Sequence, residues 1–142
     1  MVLFDTAPIV AAAFRSEDHY ARCVELFTGL RLAGRRLLLP ATVAAEVGYL
    51  LDRLGGPARE AGFLHGVADG AFELAELTTS DYARMAELVL QYDDMHLGTT
   101  DASIVALAER LGVTEIATLD RRHFTAVRPR HVATFSLLPE QL

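Results

Sequence analysis

Short continuous apolar runs alternate along this chain with longer stretches in which apolar residues recur every three or four positions. The first pattern predicts buried strands and the second amphipathic helices. Residues 2–4 read as a strand ending at Asp5, and Pro8 suits the first turn of a helix reaching Phe14, where its missing N–H would be unpaired anyway. Ser16 or Asp18 can cap a second helix, with Tyr20, Val24, Phe27 and Leu30 at helical spacing. Residues 36–39 read as a strand stopped by Pro40. Thr42 or a neighbour then opens a helix that ends at Gly55-Gly56-Pro57. A shorter helix, weakened by Gly62 and Gly66, runs to about Asp69.

Residues 71–77 read as a third strand, and Thr78 to Ser80 cap a long helix through Tyr92. After a loop over 93–99, a strongly apolar helix runs from Thr100 to Leu111 and stops at Gly112. Residues 115–119 and 132–137 supply two more strands, with a short helical turn at 120–124. Strands alternating with helices predict an α/β single domain over residues 1–142, with a mainly parallel sheet covered by helices on both faces. Ligands collect outside the carboxyl ends of strands in such sheets. Asp5 and Asp120 both fall at such ends.

The composition, 51% hydrophobic and 23% charged, is that of an ordinary globular domain. No apolar run approaches the ~20 residues that span a bilayer, and no basic leader precedes the first apolar stretch, so a cytoplasmic setting is expected. The single Cys23 has no partner for a disulfide or a zinc site and falls among periodic apolar residues, which predicts a buried thiol. The formal charge is −6, and all 13 basic residues are Arg, since the chain has no Lys. An acidic balance is awkward for coating nucleic acid through phosphate contacts, and less so if several acids bind metal.

Four acids from distant segments carry the chemistry: Asp5, Glu46, Asp101 and Asp120. Carboxylates brought together repel and lose hydration unless something positive lies between them, and a divalent metal is the usual answer. Asp5 and Asp120 would each serve equally as helix caps. Glu46 lies three residues after Val43 and four before Leu50, which predicts a place on the buried face of its helix, where a charge needs a partner. Asp101 stands in the first turn of its helix, where an acid complements the dipole. One such acid is ordinary; four together point to metal-dependent phosphodiester cleavage.

Asp94, in the loop before Asp101, reads as a solvated loop end that could join an outer shell. The five histidines show no H-x-H or H-x-x-x-H spacing, so solvated or structural roles are expected. No G-x-S-x-G, Walker or G-x-G-x-x-G motif is present. Arg121, Arg122, Arg128 and Arg130 follow Asp120 with no acid until Glu140, and such a stretch serves equally as a solvated face or as a hold on a phosphate backbone.

Four segments carry a resemblance: residues 4–8 (FDTAP), 40–47 (PATVAAEV), 101–112 (DASIVALAERLG) and 117–124 (ATLDRRHF). In order and spacing they resemble the PIN-domain proteins, specifically the VapC-type toxins of toxin–antitoxin pairs. The resemblance implies a three-layer α/β/α sandwich whose acids Asp5, Glu46 and Asp101 hold Mg²⁺ or Mn²⁺. It implies Asp120 as the fourth acid, where some relatives have Asn, and Thr6 and Thr118 as supporting hydroxyls. It further implies endonucleolytic cleavage of RNA, a small cognate antitoxin that inserts into the pocket, and a homodimer. Carboxylate oxygen suits these hard ions, which activate water and neutralise charge on the phosphoryl group.

Receiver-type signalling domains and haloacid-dehalogenase-like phosphatases also gather acids at strand ends, but both rely on a lysine. The phosphatases further need an acid where this chain has Ala7. A degenerate PIN domain acting as an interaction module would lack an acid, and none is lost. A PIN-domain RNA-processing nuclease outside any toxin pair remains open from the sequence.

Overall fold

In a computed structural model describing residues 1–142, Val2–Phe4 forms the first strand, β1, and all three of its side chains are 0% exposed. Successive strand residues point to opposite faces, so the sheet is covered on both sides at this point. The order continues α1 (Thr6–Ala13), α2 (Tyr20–Leu32), β2 (Leu37–Pro40), α3 (Ala41–Gly55), α4 (Pro57–Ala68) and β3 (Glu73–Ala75). It ends with α5 (Thr79–Gln91), a 3-10 turn (Asp93–Met95), α6 (Thr99–Leu111), β4 (Glu115–Ala117), α7 (Arg121–Ala126) and β5 (Ser136–Leu138).

All five strands are parallel, in the order β3-β2-β1-β4-β5. The expected α/β sandwich is present, and its sheet is wholly parallel. From β1 the chain builds outward to β2 and β3, then returns to the other side of β1 for β4 and β5. The reversal between β1 and β4 is a topological switch point, where the chain leaves the two strand ends in opposite directions and opens a crevice. The core centres on the strands and on α6, whose residues Ala102 to Ala108 are all buried.

Local chemistry sets the element ends. Gly112, at φ 69°, takes the left-handed conformation that caps α6, and Gly56, at φ 81°, turns the chain between α3 and α4. Thr78 and Asp81 form a reciprocal capping box on α5. Cys23 is fully buried, as expected.

Several boundaries differ from the sequence reading, among them the end of β4, which stops at Ala117 and leaves Asp120 three residues beyond the strand as the N-cap of α7. β3 spans only Glu73–Ala75 because Phe72 turns inward, with its ring 5.6 Å from that of Phe4 and 5.9 Å from that of Phe27. β5 begins at Ser136, after a segment in which His131 Nε2 meets the Val113 carbonyl and Phe135 packs on Phe124. The N-cap of α2 is His19, with no side-chain cap bond, in place of Ser16 or Asp18. No helix is long and apolar enough to cross a membrane.

Candidate active site

The carboxyl ends of β1 and β4 flank the switch point, and one hydroxyl joins them. Thr118, fully buried just beyond β4, donates from Oγ1 to Asp5 Oδ2 at 2.7 Å. The same oxygen accepts the backbone N–H of Asp120 at 2.9 Å. Asp5 also caps α1, accepting the Thr6 N–H on Oδ1 at 2.7 Å. The capping role and a place in the acid cluster therefore coexist, because one oxygen serves the cap and the other faces Thr118.

Asp101 comes from the first turn of α6 and Glu46 from α3. Two polar pairs fasten these helices. Thr100 Oγ1 donates to Glu46 Oε2 at 2.8 Å, and Thr42 Oγ1 lies 2.6 Å from Ser103 Oγ, whose proton goes to the Thr100 carbonyl at 2.6 Å. Glu46 itself is exposed, contrary to the buried face predicted for it. The buried stripe of α3 runs through Val43, Val47 and Leu51, so Glu46 stands on its flank with Leu50, at the rim. Asp120 caps α7 by accepting the His123 N–H at 2.9 Å.

Asp5, Glu46, Asp101 and Asp120 all line one cleft of about 470 Å³, together with Thr6, Glu17, Asp18 and His19. Asp94 is exposed and does not line it. Within the cleft the acids act on one another. Burial, first, and the neighbouring Asp5, Asp120 and Glu46 raise the Asp101 carboxyl to about 6, against the pull of His123. Burial likewise lifts Asp5, against its hydrogen bonds from Thr118 and Thr6, with Glu46 and Asp120 adding to the rise. No arginine pairs with any of the four.

The donors fit a divalent cation. They are hard oxygens, short of positive charge, at the mouth of a crevice. A further oxygen, Thr6 Oγ1, is buried on the cleft wall without a hydrogen-bond partner. Such an orphan costs about 1–3 kcal/mol unless something meets it.

The basic stretch after Asp120 stays outside the cleft. Arg121 donates to the Pro139 carbonyl, Arg128 to the Thr125 carbonyl at 2.7 Å, and Arg130 to Glu87 at 3.0 Å. Arg122 alone is exposed and unpaired.

The sequence reading passed over His123, which expectation had placed among solvated or structural histidines. Its Nε2 lies 2.7 Å from the Met95 carbonyl, and its Nδ1 meets Asp120 Oδ2 and lies 3.8 Å from Asp101 Oδ2. Both ring nitrogens thus face acceptors. The ring holds its proton above the usual histidine value, chiefly through Asp120 and then the Met95 carbonyl. The signal was present as Asp120-x-x-His123, two groups three apart in a first helical turn. Thr42, Thr100 and Ser103 were likewise unmarked, because hydroxyls that fasten one helix to another carry no spacing signature.

The chain matches the PIN domain family over residues 2–128. It is 33% identical over 138 residues to Ribonuclease VapC26 of Mycobacterium tuberculosis, covering 97% of this chain and 100% of that protein. VapC20 of the same organism, a toxin cleaving the sarcin–ricin loop, shares the fold at a TM-score of 0.72 and 15% identity, over 82% of this chain and 87% of that one. VapBC2 of Rickettsia felis, solved with a DNA fragment from its promoter, aligns at a TM-score of 0.63 and 17% identity, over 87% and 91%. FitAcB of Neisseria gonorrhoeae aligns at 0.61 and 22%, over 84% and 88%. An acidic crevice at the β1/β4 switch point and a family match running from the first strand through α7 lead to one assignment: the chain belongs to the PIN-domain family.

Proposed function

We propose that this chain is a metal-dependent endoribonuclease and the toxin of a toxin–antitoxin pair. The observation that carries the reading is the set of four acids converging at one crevice with no arginine or lysine to neutralise them. Asp5, Glu46 and Asp101 would hold Mg²⁺ or Mn²⁺, with Asp120 as the fourth acid. Such an ion, when bound, activates water and stabilises charge on the phosphoryl group being transferred.

The rest falls to the protein's own side chains. The Thr6 N–H and Thr118 O–H fix both oxygens of Asp5, so its orientation does not wait on the substrate. Thr100 holds Glu46 at the rim, where an incoming backbone first meets the cleft. Arg122, exposed and free beside Asp120, is placed to meet an RNA phosphate. Arg121, Arg128 and Arg130 would have to leave protein partners to do so. Likeness to Ribonuclease VapC26 supports RNA as the substrate, and the VapBC2 and FitAcB neighbours support a cognate antitoxin as partner. The unneutralised cleft suits an antitoxin segment bearing arginine. A cytoplasmic homodimer completes the proposal.

The test is RNA cleavage by the purified, antitoxin-free chain with Mg²⁺, Mn²⁺ or EDTA, beside Asp101→Asn. Cutting that needs the ion and the carboxylate supports the reading. A folded protein that binds Mn²⁺ but cuts no cellular RNA would shift it to an interaction module.

A further inference from the structure

The ring of His123 lies against two of the four acids, and the nuclease reading gives it no task. A carbonyl oxygen only accepts, so the Met95 carbonyl at 2.7 Å requires the proton to sit on Nε2. The variable position is therefore Nδ1, and Nδ1 is the atom turned toward the acids. One ligand atom from each of Asp101, Asp120 and His123 lies within 4.8 Å of the other two. Small side-chain adjustments bring such a trio around one ion, whose ligands stand about 2.0–2.2 Å away. A carbonyl holding the far nitrogen is the arrangement that fixes the tautomer and orientation of a metal-bound imidazole. The trio is not acids alone: an imidazole held at its far nitrogen joins two carboxylates, and the unpartnered Thr6 Oγ1, in a residue 4% exposed, belongs to the wall of the same acidic cleft.

We propose that His123 is a metal ligand through Nδ1, joining Asp101 and Asp120, and that it biases the centre toward a first-row transition ion such as Mn²⁺ over Mg²⁺. Binding exchanges the Nδ1 proton, released to solvent, for the ion. Mg²⁺ prefers an all-oxygen, partly hydrated shell, whereas an imidazole nitrogen favours the transition ions. The inference rests on the nuclease reading only in taking the cleft to hold a divalent ion; it does not need RNA cleavage.

The competing role for His123 is a fixed counter-ion for Asp120. The two roles predict opposite signs. Removing a ligand weakens Mn²⁺ binding, whereas removing a positive charge strengthens it. His123→Gln separates them, because the glutamine amide nitrogen takes roughly the place of Nε2, keeps a donor for Met95 and deletes Nδ1.

The full chain, without antitoxin or RNA, is titrated calorimetrically with Mn²⁺ alone and Mg²⁺ alone, and the Mn²⁺ form is examined by pulsed electron paramagnetic resonance. The wild type is expected to show coupling to an imidazole nitrogen. His123→Gln is expected to lose that coupling and about tenfold in Mn²⁺ affinity, with Mg²⁺ affinity changed by less than about twofold. His19→Gln, which alters the histidine lining the cleft, is expected to keep the coupling. Absence of nitrogen coupling in the wild type overturns the proposal without recourse to a variant. So does its loss in His19→Gln with retention in His123→Gln, or an unchanged or higher Mn²⁺ affinity in His123→Gln. RNA cleavage, scored separately, decides the nuclease reading alone.

Discussion

Two regions of this protein bury carboxylates, and they treat them in opposite ways. Between α5 and α6, Asp81 is 3% exposed and Glu109 sits under Arg84. Arg110 reaches Asp81 at 3.0 Å, Arg84 grips Glu109 at 2.7 and 3.0 Å and also touches Glu87, and Arg130 closes the set through its backbone N–H and side chain. Burial alone would raise both acids. The arginine and backbone donors outweigh it, and both lie below the ordinary carboxylate range. At the crevice, Asp5 is about as buried, at 7%, yet it and Asp101 are raised. The first cluster is complete within the chain, while the second has no arginine partner and, on the proposed reading, takes a cation from outside. The contrast sets an acid cluster that stabilises against one proposed to bind.

The sharpest way to break the comparison is to neutralise one acid on each side. Asp101→Asn should lower RNA cleavage at least about 100-fold while leaving the circular dichroism spectrum unchanged, since it removes charge and little volume. Glu109→Gln should leave cleavage within about twofold, read in the same assay. Equal losses in the two variants would mean that the crevice has no special part in catalysis.

Stability should respond the other way round. The Arg84 and Glu109 side chains are only 13% and 10% exposed. Arg84→Ala therefore leaves Glu109 without its main partner in a poorly hydrated place, which costs on the order of 3 kcal/mol. Denaturant titration measures it, and a loss below about 1 kcal/mol would make this network no better than a surface pair.

The same contrast predicts a dependence on pH. Asp101 binds its proton more tightly folded than unfolded, so with cations removed by EDTA the folded state is favoured in acid. That advantage falls as pH rises from about 4 through about 6. The loss is on the order of 2 kcal/mol after allowance for residual solvent at the site. Asp101→Asn should flatten this slope and be the more stable protein at pH 7 in EDTA. Mn²⁺ should restore the wild type and do much less for the variant. A wild type whose stability relative to Asp101→Asn does not fall over this window in EDTA would contradict the raised carboxyl. Asp81 and Glu109, both lowered, have the opposite sign: their stabilisation is present at neutral pH and lost in acid.

How far each region could be read in advance follows from what sets it. Asp5 and Asp120 were legible because a short apolar run fixes where a parallel strand ends, and the strand end fixes the crevice. Glu46 was legible by helix face, but spacing alone does not separate the centre of a stripe from its flank, so its exposure was misread. The Arg84–Glu109 grip joins helices 25 positions apart, and no local pattern marks it. The arginines after Asp120 looked like one basic patch because sequence shows charge without its partners. The Pro139 and Thr125 carbonyls and Glu87 take up three of them. His123 escaped because its partner is an aspartate in the same turn and a carbonyl from a distant loop, neither of which a search for histidine pairs can find.

The smallest predicted effect concerns the hinge of the crevice, Thr118. Its hydroxyl proton goes to Asp5 and its lone pair receives the Asp120 N–H, so a single buried atom sets the spacing between the β1 and β4 ends. Thr118→Val keeps the shape and deletes both bonds. It also leaves one oxygen of Asp5 and one backbone donor without their buried partner. The expected cost is about 1–2 kcal/mol, well below that at Arg84, because Asp5 retains the Thr6 N–H and a bound cation can take up the freed oxygen. That compensation gives the experiment its sign. Added Mn²⁺ should narrow the stability gap between Thr118→Val and wild type, whereas the gap for Arg84→Ala should stay or widen, since no external ion replaces an arginine. Denaturant curves with and without Mn²⁺ read both. A Thr118→Val gap indifferent to the ion would put this hydroxyl on the side of the self-sufficient cluster and erase the distinction between the two regions at its boundary.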